Sequence, residues 1–204
     1  VPGSLPIELH FFRHLWSLGR VGLKDALQSL SFLLRQMPPV SFHPLRANKL
    51  YLERLQPSVI EPLAEMFVTR TVCPRVSQQA LRVMERHRTA GHHLVLVTAS
   101  LDFLIAPLAG HLKVETVLAA RPERNAHGYT GRVLPPVPYG QGKAELIQQL
   151  ATQHGLGLRY SYAYGDSPGD IHTLRSVGHP LVVNPIRGMS RIAKREGWPV
   201  EKWE

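Results

Sequence analysis

The stretch AYGDSPGDIHTL, residues 163–174, places two aspartates four positions apart, one on either side of a Ser-Pro-Gly turn. They are Asp166 and Asp170, and the 204 residues contain only four aspartates in all. The run YSYAY (160–164) before them predicts a strand, and HTLRSVG (172–178) after them predicts a short helix. In α/β sheets, ligands bind beyond the carboxyl ends of the strands, so we expect both carboxylates to lie at a ligand-binding edge.

Strand and helix patterns alternate on both sides of this stretch, from Pro74 onward. A helix is predicted to begin just after Pro74 and to end at Gly91. The later predicted elements are the strand LVLVT (94–98), a helix over about 101–111, the strand VETVLAA (114–120), the hairpin NAHGYTGRVL (125–134) with Gly128 and Gly131 as turn residues, the helix GKAELIQQLATQHG (142–155) capped by Gly155, and the strand PLVVN (180–184) followed by a basic helix. This alternation predicts an α/β fold with a doubly wound parallel sheet.

The first third of the chain has a different pattern. Leucines and aromatics recur at helical spacing up to the helix-breaking pair Pro38-Pro39, and a second helical stretch covers roughly 46–68. Pro57 and Pro62 are expected to make that stretch irregular. We therefore predict a helical domain over residues 1–72 and an α/β core domain over residues 73–204.

Three more polar residues follow predicted strands or open a helix: Thr98, Lys143 and Asn184. Each has an ordinary explanation, since a strand-end Thr or Asp often caps the next helix and a Lys after Gly is often a surface charge. Together with the two aspartates they form a chemical set. Carboxylates can hold Mg²⁺, and lysine supplies a point charge for phosphate oxygens. A hydroxyl can donate a hydrogen bond to another oxygen of the same phosphate group.

The order LVLVTAS, YGQGKAELI, YGDSPGD resembles motifs II, III and IV of the haloacid dehalogenase superfamily. GYTGRV, GHPLVVNP and REGWPV are similar to its phosphoserine-phosphatase-like branch, often called HAD-IB hydrolases. The resemblance covers residues 74 to about 200. It implies a Rossmann-like core with an inserted helical cap of the C1 type, which residues 1–72 match by position and character.

The resemblance also implies an activity: Mg²⁺-dependent hydrolysis of a phosphomonoester through a phosphoaspartyl intermediate. Asp166 would be a direct metal ligand, and Asp170 would bind a metal-bound water or orient Lys143. Thr98 would hydrogen-bond the transferring phosphoryl group, Lys143 would neutralise it, and Asn184 would lie at the rim. The implied catalytic residues are Thr98, Lys143 and Asp170, and the implied substrate-binding residues are Thr98, Ala99, Ser100, Lys143 and Asn184.

Motif I of the family, DxDGT, is not found in this sequence. Its first aspartate is the nucleophile and its second the general acid and base, yet no Asp-x-Asp occurs in the 204 residues. The opening VPGSLPIELHFF is similar to text that commonly follows motif I in relatives. We therefore expect that the chain begins just after that motif, that the first core strand is absent, and that these residues alone are inactive and prone to aggregate.

The substrate is left open by the sequence. In phosphoserine phosphatases a Glu shortly after motif I reads the amino group of the substrate, and by register that position falls near Ser4. Phosphoserine is therefore not the expected substrate, although Glu8, one helical turn further, could substitute.

Two other functions are compatible with the sequence. One is a non-catalytic HAD-like module that binds phosphorylated ligands. The other is a basic binder of nucleic acid or of an anionic membrane surface, because the net charge is +9 and one predicted helix face carries Arg187, Arg191, Lys194 and Arg195.

The expected partner is nonetheless a small phosphorylated substrate, with no nucleic acid and no membrane span, and oligomeric state cannot be read. The lone cysteine, Cys73, fits a reducing compartment such as the cytoplasm.

Overall fold

The computed structural model describes residues 7–23 and 48–203. The helices are α1 Ile7–Ser17, α2 Pro57–Phe67, α3 Gln78–Thr89, α4 Asp102–Leu112, α5 Gln141–His154, α6 Ile171–Ser176 and α7 Met189–Glu196. The strands are β1 Val95–Leu101, β2 Thr116–Asn125, β3 Gly128–Leu134, β4 Tyr162–Gly165, β5 His179–Val183 and β6 Val200–Glu201. The predicted break at Pro38-Pro39 lies outside the described residues.

The described strands form two three-stranded sheets, in the orders β1-β2-β3 and β4-β5-β6. The chain divides into two compact units, each described by itself below. The first, called the parallel-sheet unit, comprises Val76–Val97 and Pro138–Glu204. The second, called the hairpin unit, comprises Thr98–Val137 together with the described part of Leu5–Arg75. The predicted domain boundary at residues 72 and 73 stays a prediction.

The parallel-sheet unit confirms the predicted α/β class. β4 pairs in parallel with β5, from Tyr162 opposite His179 to Gly165 opposite Val182, and β5 pairs in parallel with β6. Parallel strands need a crossover, which α6 supplies between β4 and β5. The core beneath the sheet contains Ala163, Leu174, Val182, Met189 and Ala193.

The hairpin unit holds the larger core, which gathers side chains from α1, α2, β1, α4 and β3. The predicted hairpin is confirmed, but its first strand runs back to Thr116, and the turn is Ala126-His127 because Asn125 pairs with Gly128. Gly128 and Gly131, predicted as turn residues, lie within β3. Glycine is needed at these positions because residues 50–55 pass close to the backbone of β3. A Cβ on Gly128 would lie 2.5 Å from the Leu55 carbonyl oxygen.

Helix ends follow capping chemistry. α3 begins after Ser77, whose side chain accepts hydrogen bonds from the backbone N–H groups of Gln79 and Ala80, rather than directly after Pro74. α5 ends at Gly155 in a left-handed conformation, as predicted. Pro57 does not disturb α2 but starts it, because the first turn of a helix does not need the N–H that proline lacks. No helix in the described ranges has the length and apolar character needed to cross a membrane.

Candidate active site

The Asp170 carboxylate organises the loop that follows β4. Its Oδ1 accepts a hydrogen bond from Lys143 Nζ at 2.6 Å. Its Oδ2 accepts from the backbone N–H groups of Asp166 and Ser167, at 3.3 and 3.2 Å, and from the Ser167 hydroxyl at 3.0 Å. These contacts fold the segment 166–170 into a tight turn around one carboxylate, the geometry of a capping box.

Lys143 comes to this carboxylate from the first turn of α5. The helix begins after Gly140, which has a positive φ of 55°, and the Lys143 N–H bonds back to the Gly140 carbonyl at 3.2 Å. The side chains of Lys143 and Asp170 are only 14% and 12% exposed, so their ion pair is shielded from water. Burial tends to raise the pKa of Asp170, but the charge and hydrogen bond of Lys143 and the Ser167 donors outweigh it and lower the pKa below its usual value.

Two glycines make room for this arrangement. A Cβ on Gly165, the last residue of β4, would lie 2.7 Å from the Asp170 Cβ. A Cβ on Gly169 would lie 2.6 Å from the Tyr139 ring, which precedes α5. Real Cβ atoms do not approach so closely, so both positions need glycine for the turn to close.

Asp166 differs from Asp170 in its surroundings. It is exposed, so its carboxylate can accept a ligand from solution. Partial burial of the carboxyl group, and then the negative charge of Asp170, raise the pKa of Asp166 above its usual value. A cation bound at this carboxylate would favour its ionised form.

The predicted metal site stays a prediction, for which the described residues offer one open carboxylate, that of Asp166. Carboxylate oxygen is the ligand type that Mg²⁺ takes in proteins, and it usually keeps several waters, so Asp166 fits. The Asp170 carboxylate already accepts hydrogen bonds from Lys143 and Ser167. Across the described part of the chain, no three His, Cys, Asp or Glu side chains converge as ligands.

Thr98, Ala99 and Ser100 lie on β1 and belong to the hairpin unit, whereas Lys143, Asp166 and Asp170 belong to the parallel-sheet unit. Within its own unit, the Thr98 hydroxyl oxygen accepts a hydrogen bond from the Ser100 N–H at 3.1 Å. The predicted phosphoryl-binding role of these three residues stays a prediction.

Asn184 is engaged elsewhere. Its side-chain NH₂ donates to the Trp203 carbonyl and its side-chain oxygen accepts from the Trp203 N–H, both at 2.9 Å. These contacts fasten the end of β5 to the segment after β6. They support a structural role, and the predicted substrate-binding role of Asn184 stays a prediction.

Sequence reasoning missed Ser167, Gly165 and Gly169 as members of the site. The signal was present for Ser167, because the spacing Ser-x-x-Asp is that of a capping box. For the glycines the sequence carried no comparable signal, since the contacts that exclude a Cβ come from Asp170 and from Tyr139, which is thirty residues earlier.

The predicted motif order agrees with comparisons to known proteins. The model of the haloacid dehalogenase-like hydrolase family matches residues 3–175, which is most of the chain. The chain belongs to this family.

A curated relative, a probable phosphatase of Mycobacterium tuberculosis, is 39% identical over 129 residues, covering 63% of this chain and 45% of that protein. This member of the HAD-like hydrolases thus spans less than half the length of that relative.

Solved structures agree on the fold. A Bordetella pertussis protein of unknown function has a TM-score of 0.77 at 28% identity, over 91% of this chain and 86% of that one. A probable phosphoserine phosphatase of Vibrio cholerae has a TM-score of 0.68 at 16% identity, over 92% of this chain and 55% of that one. The second likeness concerns the fold alone.

Proposed function

We propose that this HAD-like chain is part of a Mg²⁺-dependent phosphomonoester hydrolase, which works through a phosphoaspartyl intermediate. The observation that carries the proposal is the shielded Lys143–Asp170 ion pair beside the accessible Asp166 carboxylate, at the carboxyl end of a parallel strand. Family membership and a relative described as a probable phosphatase support the same reaction class.

Three residues have distinct parts in the proposed reaction. Lys143 offers positive charge to the phosphoryl oxygens, where negative charge gathers as the ester bond breaks. Asp170 positions the Lys143 ammonium group through the hydrogen bond that its Oδ1 accepts, and its remaining lone pairs could accept a hydrogen bond from a metal-bound water. Asp166 is the residue that would hold Mg²⁺, which when bound supplies charge neutralisation for the phosphate.

The nucleophile of the proposed reaction is not supplied by these 204 residues, which contain no Asp-x-Asp. The balanced reaction needs a carboxylate that forms a bond to phosphorus as the alcohol departs with a proton, and water that then hydrolyses the acyl phosphate. We therefore expect no turnover from the 204 residues alone.

The substrate class is narrowed by Glu8. Its carboxylate pairs with Lys49 Nζ at 2.5 Å, and the two side chains are only 19% and 6% exposed. A carboxylate already neutralised by a buried lysine is a poor receptor for a substrate ammonium group. We therefore propose a phosphomonoester that is recognised without an amino group paired to Glu8.

The test compares this chain with the same chain extended upstream along its own reading frame, using an aryl phosphate with and without Mg²⁺. We expect turnover only from the extended protein, stopped by EDTA and by Asp166→Asn. If the upstream frame encodes no Asp-x-Asp and phosphate binds without turnover, the non-catalytic binding module is the correct interpretation.

The basic-surface alternative has its own test. Arg187, Arg191, Lys194 and Arg195 are all exposed at or beside α7, whose opposite face buries Met189 and Ala193. Salt-dependent retention on heparin or anionic vesicles that is lost when these four residues are neutralised would favour that function.

A further inference from the structure

Asn184, the residue after β5, has a left-handed backbone conformation with a φ of 46°. Residues other than glycine adopt this conformation rarely, and asparagine is among those that tolerate it best. Its side-chain NH₂ donates to the Trp203 carbonyl, and its side-chain oxygen accepts from the Trp203 N–H. Its own N–H donates to the Glu201 carbonyl at 2.9 Å. Three hydrogen bonds therefore fix residue 184 to the segment 201–203.

The turn at Asn184 returns the chain to the loop that follows β4. Pro185 has no N–H group, and the Ile186 N–H donates to the Asp166 carbonyl at 2.8 Å. On its other side, Asp166 donates its own N–H to Asp170 Oδ2 at 3.3 Å. Both peptide groups that flank the Asp166 side chain are thus held, and together they fix the direction of its Cα–Cβ bond.

The contacts with Trp203 stabilise a backbone conformation that is unfavourable by itself. A residue in the left-handed region stays there only when the surrounding structure holds it. Trp203 can provide that hold because it is itself fixed. Its ring centroid lies 5.5 Å from that of Tyr164 on β4, and its indole N–H donates to the Glu201 carboxylate at 2.7 Å. A continuous set of contacts therefore runs from the segment after β6, through residues 184–186, to Asp166.

We propose that Asn184 is a positioning residue for Asp166. Its amide, bonded to the Trp203 backbone, holds the turn 184–186, and through the Ile186 N–H this turn orients the carboxylate that would hold Mg²⁺. Mg²⁺ requires nearly octahedral geometry, so the direction of a ligand affects its affinity. The inference rests on the proposed function only in this last step. It differs from the predicted role of Asn184, which is direct contact with the substrate.

The test uses Asn184→Gly in the whole chain, because glycine adopts the left-handed conformation freely but makes neither side-chain bond to Trp203. The first measurement is hydrogen exchange of the Ile186 N–H by NMR, which we expect to be about tenfold faster in the variant. The Val182 N–H, bonded to the Pro199 carbonyl, reports any general loss of stability and should change less. Wild-type exchange at Ile186 would show that residue 184 needs only its backbone conformation, and would overturn the proposal.

The second measurement uses Mn²⁺ in place of Mg²⁺ and follows paramagnetic broadening of the Asp166 and Ser167 N–H signals. Loss of the groups that orient a metal ligand weakens binding by about 10-fold to 100-fold, so Asn184→Gly should need that much more Mn²⁺. Equal broadening in both proteins would contradict the positioning role, even with faster exchange at Ile186. No broadening in the wild type would contradict the proposed cation site instead, and exchange at Ile186 would then decide whether Asn184 holds the turn.

Asn125→Gly is the matched control. The Asn125 side-chain oxygen accepts from the His127 N–H at 2.8 Å in the hairpin unit, so this change also removes a bond between an asparagine side chain and the backbone. Exchange at Ile186 and the response to Mn²⁺ should stay as in the wild type. If Asn125→Gly alters them as much as Asn184→Gly does, the effect is general and the proposal is wrong.

Direct contact of Asn184 with the substrate would give a different pattern. In the protein extended upstream, Asn184→Gly would then raise the KM for an aryl phosphate, while Mn²⁺ binding and exchange at Ile186 would match the wild type. That result would replace the positioning role with the predicted substrate-binding role.

Discussion

The carboxylate of Asp170 receives hydrogen bonds from Lys143, Asp166 and Ser167. Such charge-assisted bonds are stronger than bonds between neutral groups, and several of them on one acceptor hold its loop in one conformation. The neighbouring Asp166 is left with a raised pKa and access to solvent. Two carboxylates four residues apart thus differ in what they can do, since one is a structural anchor and the other is open to a ligand.

The anchor role predicts the effect of Asp170→Asn. The change leaves the largely buried Lys143 ammonium group without its counter-charge, so the free energy of unfolding at neutral pH should fall by about 3 kcal/mol. The folded-state pKa of Asp170 is below its ordinary value of 3.8, so the wild-type advantage is full above that value and is lost as the pH falls through the folded pKa. Urea unfolding of both proteins at neutral and acidic pH measures this difference.

Glu115→Gln is the control for that experiment, because Glu115 is exposed. Its free energy of unfolding should differ from the wild type by less than about 0.5 kcal/mol. If Asp170→Asn is no less stable than Glu115→Gln at neutral pH, the ion pair does not anchor the loop.

A second prediction at this scale concerns Gly165. Its replacement by Ala would bring a methyl group within 2.7 Å of the Asp170 Cβ, so the turn must shift, at a cost of about 2 kcal/mol of unfolding free energy. Gly110→Ala, inside α4, is the matched control: its Cβ meets nothing within 4 Å, and the change should stabilise the protein by up to about 1 kcal/mol. Thermal unfolding of the two variants should move in opposite directions, and a loss of stability in both would show that the close contact is not the cause.

At the scale of elements, local chemistry decides where helices begin. Pro74 follows the helical first part of the chain, but α3 begins only at Gln78, because Ser77 caps its first turn. The Ser77 side chain accepts from two N–H groups that have no partner inside the helix.

Ser77→Ala should therefore lower the free energy of unfolding by about 1 kcal/mol, and Ser77→Gly by less. Chemical denaturation with circular dichroism measures the change. Ser190→Ala, at an exposed position in α7, serves as the control and should be neutral or slightly stabilising. Equal effects at positions 77 and 190 would mean that the cap contributes nothing.

The β2–β3 hairpin shows the opposite case, in which distant contacts override a local pattern. Gly128 and Gly131 follow the sequence pattern of turn residues, yet both lie in β3. The backbone of residues 49–55 runs against this strand, with Lys49 N–H bonded to the Gly131 carbonyl and Tyr129 N–H bonded to the Leu55 carbonyl. The glycines are required by a segment more than seventy residues earlier in the chain.

At the scale of the whole molecule, the described residues hold two separate hydrophobic cores. The larger lies in the hairpin unit and includes Leu104, and the smaller lies in the parallel-sheet unit and includes Leu174. The candidate aspartates depend on the smaller core, since β4 contributes Ala163 to it.

Leu104→Ala and Leu174→Ala test this division. Both side chains are almost completely buried, so each change should cost about 2–5 kcal/mol of unfolding free energy in its unit. In hydrogen exchange followed by mass spectrometry, we expect Leu174→Ala to speed exchange mainly in residues 138–203, and Leu104→Ala mainly in residues 98–137. The same pattern of exchange in both variants would contradict two separate cores.

The sequence by itself determined the class of fold and predicted strands that overlap β1 to β5, but it did not predict β6. It also singled out Lys143, Asp166 and Asp170, whose role as a site stays a prediction. It could do so because strand and helix periodicity, turn residues and motif order are local properties. Family membership, predicted from the motif order, is confirmed by the family match.

Only the tertiary structure decided how these residues differ. In the folded protein Lys143 pairs with Asp170, 27 positions away, and Glu8 pairs with Lys49. Asn184 is hydrogen-bonded to the backbone of Trp203. The fold also brings His87 to Tyr164 across 77 positions. The physical reason is common to all of them: which donor meets which acceptor depends on how distant elements pack, and no local pattern encodes that choice.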